Sequence, residues 1–175
     1  MRYIFLPLLL VYSVAVADVT GSVQITDGDT VKIDGIRIRL HGIDAPEKNQ
    51  RCEKARQLWS CGRASTEALA KFIDDQLVTC IGDSTDRYKR LIAVCYVDEI
   101  DLNAAMVDAG MALAYRKYSL DYVVNEERAR NARIGMWAGN FIDPWDWRRG
   151  KRRWPAAGRQ RVLHGYAAAQ PGRQQ

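Results

Sequence analysis

Histidine is scarce in this sequence, and the spacing typical of zinc-binding cysteines is missing. The chain has two histidines, His41 and His164, far apart, and its cysteines form no Cys-x-x-Cys pair. Structural zinc sites are usually built from closely spaced cysteines and histidines. A zinc-binding protein is therefore disfavoured.

Apolar runs long enough to cross a bilayer are also lacking. The apolar run from Ile4 to Val16 covers about 13 residues, too few to span a membrane comfortably. The basic Arg2 precedes it, and Ala15-Val16-Ala17 is a small-x-small cleavage site. We therefore expect residues 1–17 to be a cleaved signal peptide; the alternative is a single membrane anchor.

The 175 residues contain no visible repeat and suffice for one domain. A hydrophobic fraction of 47% excludes a disordered chain. The net charge of +5 is compatible with a polyanionic partner without requiring one. We expect a folded domain over residues 18–147 and a disordered tail over 148–175. Basic residues crowd the end of the chain: Arg148, Arg149, Lys151, Arg152, Arg153, Arg159 and Arg161.

If the chain is exported, we expect the four cysteines to form disulfides, because an oxidising compartment favours them. Four cysteines allow three pairings. The simplest is local: Cys52–Cys61 within one loop, and Cys80–Cys95 across two strand-like segments.

Alternating apolar residues predict a meander of three strands over 19–26, 30–33 and 36–41, joined at Asp27-Gly28 and Asp34-Gly35. In the third strand, Ile36, Ile38 and Leu40 are expected to share one face.

Helices are predicted over 64–73, around 102–109 and over 122–134, with strands over 77–81 and 91–97. This order predicts an α+β fold, an OB-type five-stranded antiparallel β-barrel with about three packed helices. The faces and loops of such barrels bind oligonucleotides.

Carboxylates recur in two short segments, Asp-Gly-Asp-Thr at 27–30 and Ile-Asp-Ala-Pro-Glu at 43–47. Each segment alone predicts an ordinary turn. Arg39 and the segment Asp-Arg-Tyr-Lys-Arg at 86–90 add guanidinium groups that can hold a phosphate. The combination indicates a site for a phosphodiester, while Asp27 and Arg37 are interpreted as ordinary turn or surface charges.

Taken together, these motifs resemble the staphylococcal nuclease (thermonuclease) family from about Val19 to Trp137. The resemblance implies calcium-dependent hydrolysis of phosphodiesters in DNA and RNA. It assigns the calcium carboxylates to Asp29 and Asp44, a further ligand to the backbone carbonyl of Ala45, and indirect support of the metal to Thr30.

The remaining roles follow from the same resemblance. Glu47 matches the general base, and Arg39 and Arg90 match the arginines on the scissile phosphate. Arg87 and Tyr88 match positions near the bound nucleotide. Tyr115 matches a tyrosine beside the nucleotide pocket that could stack on a base, or it is a core tyrosine. These choices suit the chemistry, since Ca²⁺ takes oxygen ligands and arginine stays protonated.

Two features depart from the family pattern. Lys89 stands where glycine is common, so the loop that presents Arg90 is expected to bend differently. The Asp34-Gly35 turn makes the hairpin before Arg39 shorter than in the type member.

The sequence thus predicts an exported, monomeric endonuclease, periplasmic or released to the medium, that does not bind membranes after signal cleavage. It would cut DNA and RNA, preferably single-stranded, with little sequence specificity; the resemblance implies 3′-phosphate ends. Three alternatives stay open: a non-catalytic OB-fold nucleic-acid-binding protein, a phosphodiesterase acting on small or lipid-linked substrates, and a disulfide-linked surface protein with structural calcium.

Overall fold

The computed structural model describes residues 17–152, with side-chain placement from residue 18. Residues 1–16 of the predicted signal peptide, and the predicted tail beyond Arg152, lie outside this range. No helix within it is long and apolar enough to cross a membrane.

Eleven strands, four α-helices and one 3₁₀ turn make up the described residues. The strands are β1 (Ala17–Gly21), β2 (Val23–Asp27), β3 (Thr30–Ile33), β4 (Ile36–Leu40), β5 (Ile43–Asp44), β6 (Cys52–Lys54), β7 (Gln57–Trp59), β8 (Val78–Thr85), β9 (Leu91–Val97), β10 (Ile100–Asp101) and β11 (Leu113–Ala114). The helices are α1 (Cys61–Ile73), α2 (Leu102–Asp108), α3 (Val123–Ala132) and α4 (Pro144–Arg148), and the 3₁₀ turn is Gly135–Ala138.

The main sheet has the strand order β1-β8-β9-β4-β3-β2, with β10 added beside β9. The predicted meander β2–β3–β4 is confirmed, and so is the α+β fold of the OB type. The expectation that every strand pair is antiparallel is wrong, because β4 and β9 run parallel. The long connection through α1 and β8 allows this, since parallel neighbours need a crossover.

The predicted first strand is divided at Ser22, so that β1 pairs with β8 while β2 pairs with β3. The alternation expected in β4 holds for Ile38 and Leu40, which are buried. It fails for Ile36, which is 45% exposed at the turn end of the strand. In that turn, Asp34 and Gly35 both have positive φ, as a type I′ hairpin turn requires.

The core lies between the curled sheet and the helices. In β9 every second side chain is buried: Leu91, Ala93, Cys95 and Val97. Leu69 and Ile73 of α1 and Leu102 and Met106 of α2 pack into the same cluster. A smaller cluster forms around the Cys52–Cys61 disulfide, with Leu113 and Met136.

The segment predicted as a cysteine-bearing loop contains more structure than expected. Residues 52–59 form the hairpin β6–β7, and α1 begins at Cys61 rather than at residue 64. The hairpin turn uses Ala55 and Arg56 at positive φ, so it carries none of the glycine or asparagine that marks such turns in a sequence. Both predicted disulfides, Cys52–Cys61 and Cys80–Cys95, are present.

Candidate functional site

The two acidic segments meet at one end of the sheet. Asp29 lies in the β2–β3 turn and Asp44 at the end of β5; they are 2% and 0% exposed. The backbone N–H of Ala45 donates to Oδ2 of Asp29 at 2.6 Å, which joins the two segments directly. Gly28 allows this approach, because a Cβ at that position would lie 1.9 Å from Oγ of Ser65 on α1.

Arg39 bridges the two buried carboxylates. Its guanidinium donates to Oδ1 of Asp29, to Oδ1 of Asp44 at 2.6 Å and to the carbonyl of Ile43 at 3.3 Å. Thr30 is the cross-strand neighbour of Arg39 and donates from its hydroxyl to Oδ1 of Asp29 at 3.0 Å. The pairing of β3 with β4 therefore brings Asp29 and Thr30 next to Arg39.

Arg90 reaches the same site from the turn between β8 and β9. Its Nη1 donates to the hydroxyl of Thr30 at 3.2 Å, and its Nε donates to Asp86 at 2.8 Å. Lys89 adopts φ +60°, the left-handed conformation that glycine takes freely. The lysine therefore occupies a glycine-like conformation in the turn that presents Arg90.

Asp86 organises this turn. Its Oδ1 accepts from the backbone N–H groups of Tyr88 at 2.8 Å and Arg90 at 3.0 Å. Partial burial would raise the pKa of the Asp86 carboxyl, but the hydrogen bonds from Arg90 and Tyr88 outweigh it and lower the pKa below the ordinary value. The hydrogen bonds of the turn thus favour the ionised form of Asp86.

Arg87 and Tyr88 lie on the rim of the site. Tyr88 is exposed, its hydroxyl accepts from Arg87 at 2.7 Å, and the Arg87 guanidinium lies 4.7 Å from the ring centroid. Arg90 lies 5.6 Å from the same ring. An exposed aromatic flanked by two cations is available to a nucleotide.

Glu47 lies at the mouth of the site and is 36% exposed. Its backbone is fixed by Gln50, whose side chain accepts from the N–H of Glu47 at 3.2 Å and whose N–H donates to the carbonyl of Glu47 at 2.7 Å. Gly62 of α1 packs against this turn, since a Cβ there would lie 1.8 Å from the carbonyl oxygen of Glu47. The main chain that carries Glu47 is therefore held, while its carboxylate can reach solvent.

Arg148 is a site residue that the sequence analysis missed and assigned to the basic tail. The structure places it at the end of α4, with Nη1 and Nη2 on Asp44 at 3.0 and 2.6 Å and Nη1 on Glu47 at 2.9 Å. Burial opposes the charge, but the hydrogen bonds to both carboxylates raise the pKa of the Arg148 guanidinium. Pro144 at the first helical position was the available signal for α4.

Tyr115 is half-buried, and one of its ring faces is covered. The ring of Trp145 on α4 stacks on it at 5.4 Å between centroids and 1° between planes, and Tyr118 meets it edge-on at 4.8 Å. The stacking of Tyr115 on a base stays a prediction, and it would use the ring face that Trp145 does not cover.

Asp27 differs from the ordinary turn charge that was expected. It is half-buried, and it accepts from the backbone N–H of Asp29 at 3.1 Å. Burial raises the pKa of Asp27 above its ordinary value, although Arg39, Thr30 and Arg90 act against this. Arg37, the other residue interpreted in this way, is exposed.

The donor set around Asp29 and Asp44 fits a hard divalent cation. Its candidate ligands are all oxygens, the two carboxylates and the carbonyl of Ala45, and the hydroxyl of Thr30 hydrogen-bonds to Asp29 beside them. Ca²⁺ accepts such ligands and fills its remaining positions with water or phosphate oxygens. Within residues 17–152, no three His, Cys, Asp or Glu side chains group as a metal cluster. A cation here would depend on two protein carboxylates.

Comparison with known proteins finds related sequences. Residues 37–139 match the family model described as Staphylococcal nuclease homologue. An "Uncharacterized endonuclease" of Haemophilus influenzae is 38% identical over 73% of this chain and 71% of its own length. One of the same name from Escherichia coli O157:H7 is 35% identical over 84% and 98%. A "Micrococcal nuclease" of Shigella flexneri is 34% identical over 87% and 94%.

Proposed function

The chain belongs to the staphylococcal nuclease family, and on that premise we propose that it is a calcium-dependent endonuclease acting on DNA and RNA. The observation that carries the proposal is the convergence of Asp29, Asp44 and Arg39 in one buried, ion-paired cluster, which Arg90 joins through Thr30. Buried carboxylates in contact with guanidinium groups at a sheet end suit a metal-assisted phosphodiesterase better than a structural surface.

Asp29 and Asp44 would hold the calcium, with the carbonyl of Ala45 as a further ligand and Thr30 acting through water. Calcium bound there would supply Lewis acidity to a phosphoryl oxygen and orient the attacking water. Arg39 already forms ion pairs with both carboxylates and holds them close together.

Arg39 and Arg90 would bind the scissile phosphate. A guanidinium has five N–H donors. The hydrogen bonds of Arg39 use three of them. Arg90 uses two in hydrogen bonds to Asp86 and Thr30, and its Nη2 lies 2.7 Å from Oδ2 of Asp86 in an ion pair. Each side chain therefore keeps at least two donors for phosphate oxygens, on which charge builds up in the transition state.

Glu47 would act as the general base. Its carboxylate is at the solvent-accessible mouth, beside the buried Asp44 to which Arg148 links it. A carboxylate in this place can take a proton from a water bound between it and the phosphate.

The substrate would be single-stranded nucleic acid, bound with little sequence preference. Arg87 and Tyr88 offer a cation and an aromatic face at the rim, and Tyr115 would offer the ring face that Trp145 leaves uncovered; such contacts tolerate any base. Cleavage would leave a 3′-phosphate. Two buried disulfides support an exported protein, which we propose acts as a monomer in the periplasm or the medium.

The test compares the mature chain with Glu47→Gln and with the matched control Glu67→Gln, an exposed residue of α1. We expect the first variant to lose about 10²–10⁴-fold in cleavage of single-stranded DNA, because general-base catalysis contributes that range. The control should cleave at the wild-type rate. Labelled oligonucleotides would identify the 3′-phosphate product.

Different outcomes would separate the competing functions. Binding of oligonucleotide with no cleavage by the wild-type chain would favour a non-catalytic binding protein. Faster cleavage of a small diester such as bis(p-nitrophenyl) phosphate than of polynucleotide would favour a small-substrate phosphodiesterase. Full activity of Glu47→Gln would remove Glu47 as the base.

A further inference from the structure

Arg148 is held against the acidic site by a set of contacts that extends beyond one ion pair. Trp145, one helical turn before it on α4, stacks on Tyr115. The buried Gln50 side chain donates to the carbonyl of Ile142 at 2.6 Å, which ties the approach to α4 to the turn that carries Glu47. Residues three apart share a helix face, so the contact of Trp145 also aims Arg148 at Asp44.

Asp44 uses both carboxylate oxygens to bind Arg148. Nη2 of Arg148 lies 2.6 Å from Oδ2 and Nη1 lies 3.0 Å from Oδ1, a bidentate contact, and Arg39 takes Oδ1 as well. Asp44 is 0% exposed, and a buried carboxylate needs a positive partner. A cation that coordinates Asp44 would need the oxygens that Arg148 holds.

The net charge of the cluster is a second observation about Arg148. Asp29, Asp44 and Glu47 bring three negative charges, and Arg39 and Arg148 balance two of them. Without Arg148, the same three carboxylates and Arg39 would carry two net negative charges, the complement of a divalent cation. Arg148 itself is 38% exposed, so it can swing toward solvent without uncovering a deep core.

We propose that Arg148 is a built-in counter-cation that occupies the oxygens of Asp44 and Glu47 until a divalent cation displaces it. In this role Arg148 sets the cation affinity of the site and keeps the buried carboxylates paired while no metal is bound. The inference rests on the proposed function, because it takes Asp44 as a cation ligand.

The test measures Ca²⁺ binding to the mature chain by isothermal titration calorimetry, without nucleic acid, for wild type, Arg148→Gln and Arg149→Gln. Removing a positive charge within hydrogen-bonding distance of the ligand should lower the Kd of Arg148→Gln by about tenfold or more. Arg149 is exposed, and its carboxylate contact is a 3.8 Å approach to Asp146, so Arg149→Gln should bind as wild type does.

A second variant covers the case in which Arg148→Gln does not fold. Arg148→Lys keeps one charge but loses the bidentate fork, and its Kd should lie between those of wild type and the glutamine variant. An unchanged or higher Kd in folded variants would overturn the counter-cation role.

Asp44→Asn separates this inference from the proposed function. If Asp44→Asn abolishes Ca²⁺ binding while the Arg148 variants bind as wild type does, only the counter-cation role is overturned. If Ca²⁺ binding survives in Asp44→Asn, or is undetectable in wild type, the metal site of the proposed function fails and the inference fails with it.

Discussion

Lys89 holds a left-handed backbone conformation, with φ +60°, in the turn that presents Arg90. This conformation costs a residue with a Cβ about 1–2 kcal/mol. Glycine avoids that cost, but it also makes the unfolded chain more flexible, which offsets part of the stabilisation. Lys89→Gly should therefore raise the free energy of unfolding by about 0.5–1 kcal/mol, measured by urea denaturation. Lys89→Ala keeps the Cβ and should show no gain; an equal gain in both variants would refute strain as the cause.

Asp27 gives a pH-dependent prediction. Because burial raises its folded pKa above the ordinary 3.8, the folded chain holds this proton more tightly than the unfolded chain. The contribution of Asp27 to stability therefore falls as pH rises from 3.8 through the folded pKa. Asp27→Asn should be more stable than wild type at pH 7, and this advantage should shrink on acidification.

Urea denaturation of Asp27→Asn between pH 7 and pH 4 would measure this advantage, with the exposed Asp75→Asn as control. A stability difference that stays constant with pH, or that also appears in the control, would contradict the assignment to Asp27.

At the residue scale, the sequence could predict only part of how the candidate site residues meet. Thr30 lies opposite Arg39 in the β3–β4 hairpin, so the approach of Arg39 to Asp29 follows from a local register. Asp44 lies on β5, which pairs with the distant β11, so its meeting with Arg39 does not follow from a hairpin. Arg148 could not be placed from a local register either. Arg148 lies 104 residues beyond Asp44, and its contact with Asp44 depends on how α4 packs on Tyr115, which no local pattern specifies.

At the element scale, the β6–β7 hairpin is tied to the start of α1 by the Cys52–Cys61 disulfide, whose half-cystines are nine residues apart. Closing a loop of this length stabilises the fold by about 2–3 kcal/mol in the chain-entropy model. Replacing both cysteines by alanine should lower the free energy of unfolding by that amount and speed proteolysis of the hairpin at 54–57. Limited proteolysis with mass spectrometry would locate the cuts.

Replacing Cys80 and Cys95 by alanine provides the matched control. That disulfide joins β8 to β9 inside the main sheet, so its loss should destabilise the fold without opening the hairpin under native conditions. Equal hairpin cleavage in both double variants would contradict a local role for Cys52–Cys61.

The elements themselves were predicted unevenly, for physical reasons. The meander β2–β3–β4 carries alternating apolar residues and Asp-Gly turn signals, and it was confirmed. The β6–β7 hairpin turns at Ala55 and Arg56, which carry no such signal. The parallel pairing of β4 with β9 depends on a crossover of about fifty residues, which periodicity cannot reveal.

At the scale of the whole molecule, the candidate site lies where the end of the curled sheet meets α4. In the proposed function, the segments β2–β3, β4–β5 and β8–β9 would supply the oxygen ligands, the phosphate donors and the base, while α4 contributes Arg148 from about one hundred residues further along the chain. The strands and their turns fix Asp29, Asp44, Arg39 and Arg90, and α4 adds Arg148, which we propose competes with a metal for Asp44.

The most direct test of the central claim is the rate at which the purified protein releases acid-soluble nucleotides from single-stranded DNA as free Ca²⁺ is varied. We expect a saturable rise with Ca²⁺, no release in excess chelator, and full recovery when Ca²⁺ is restored. Undiminished release in chelator, or none at saturating Ca²⁺, would contradict the account.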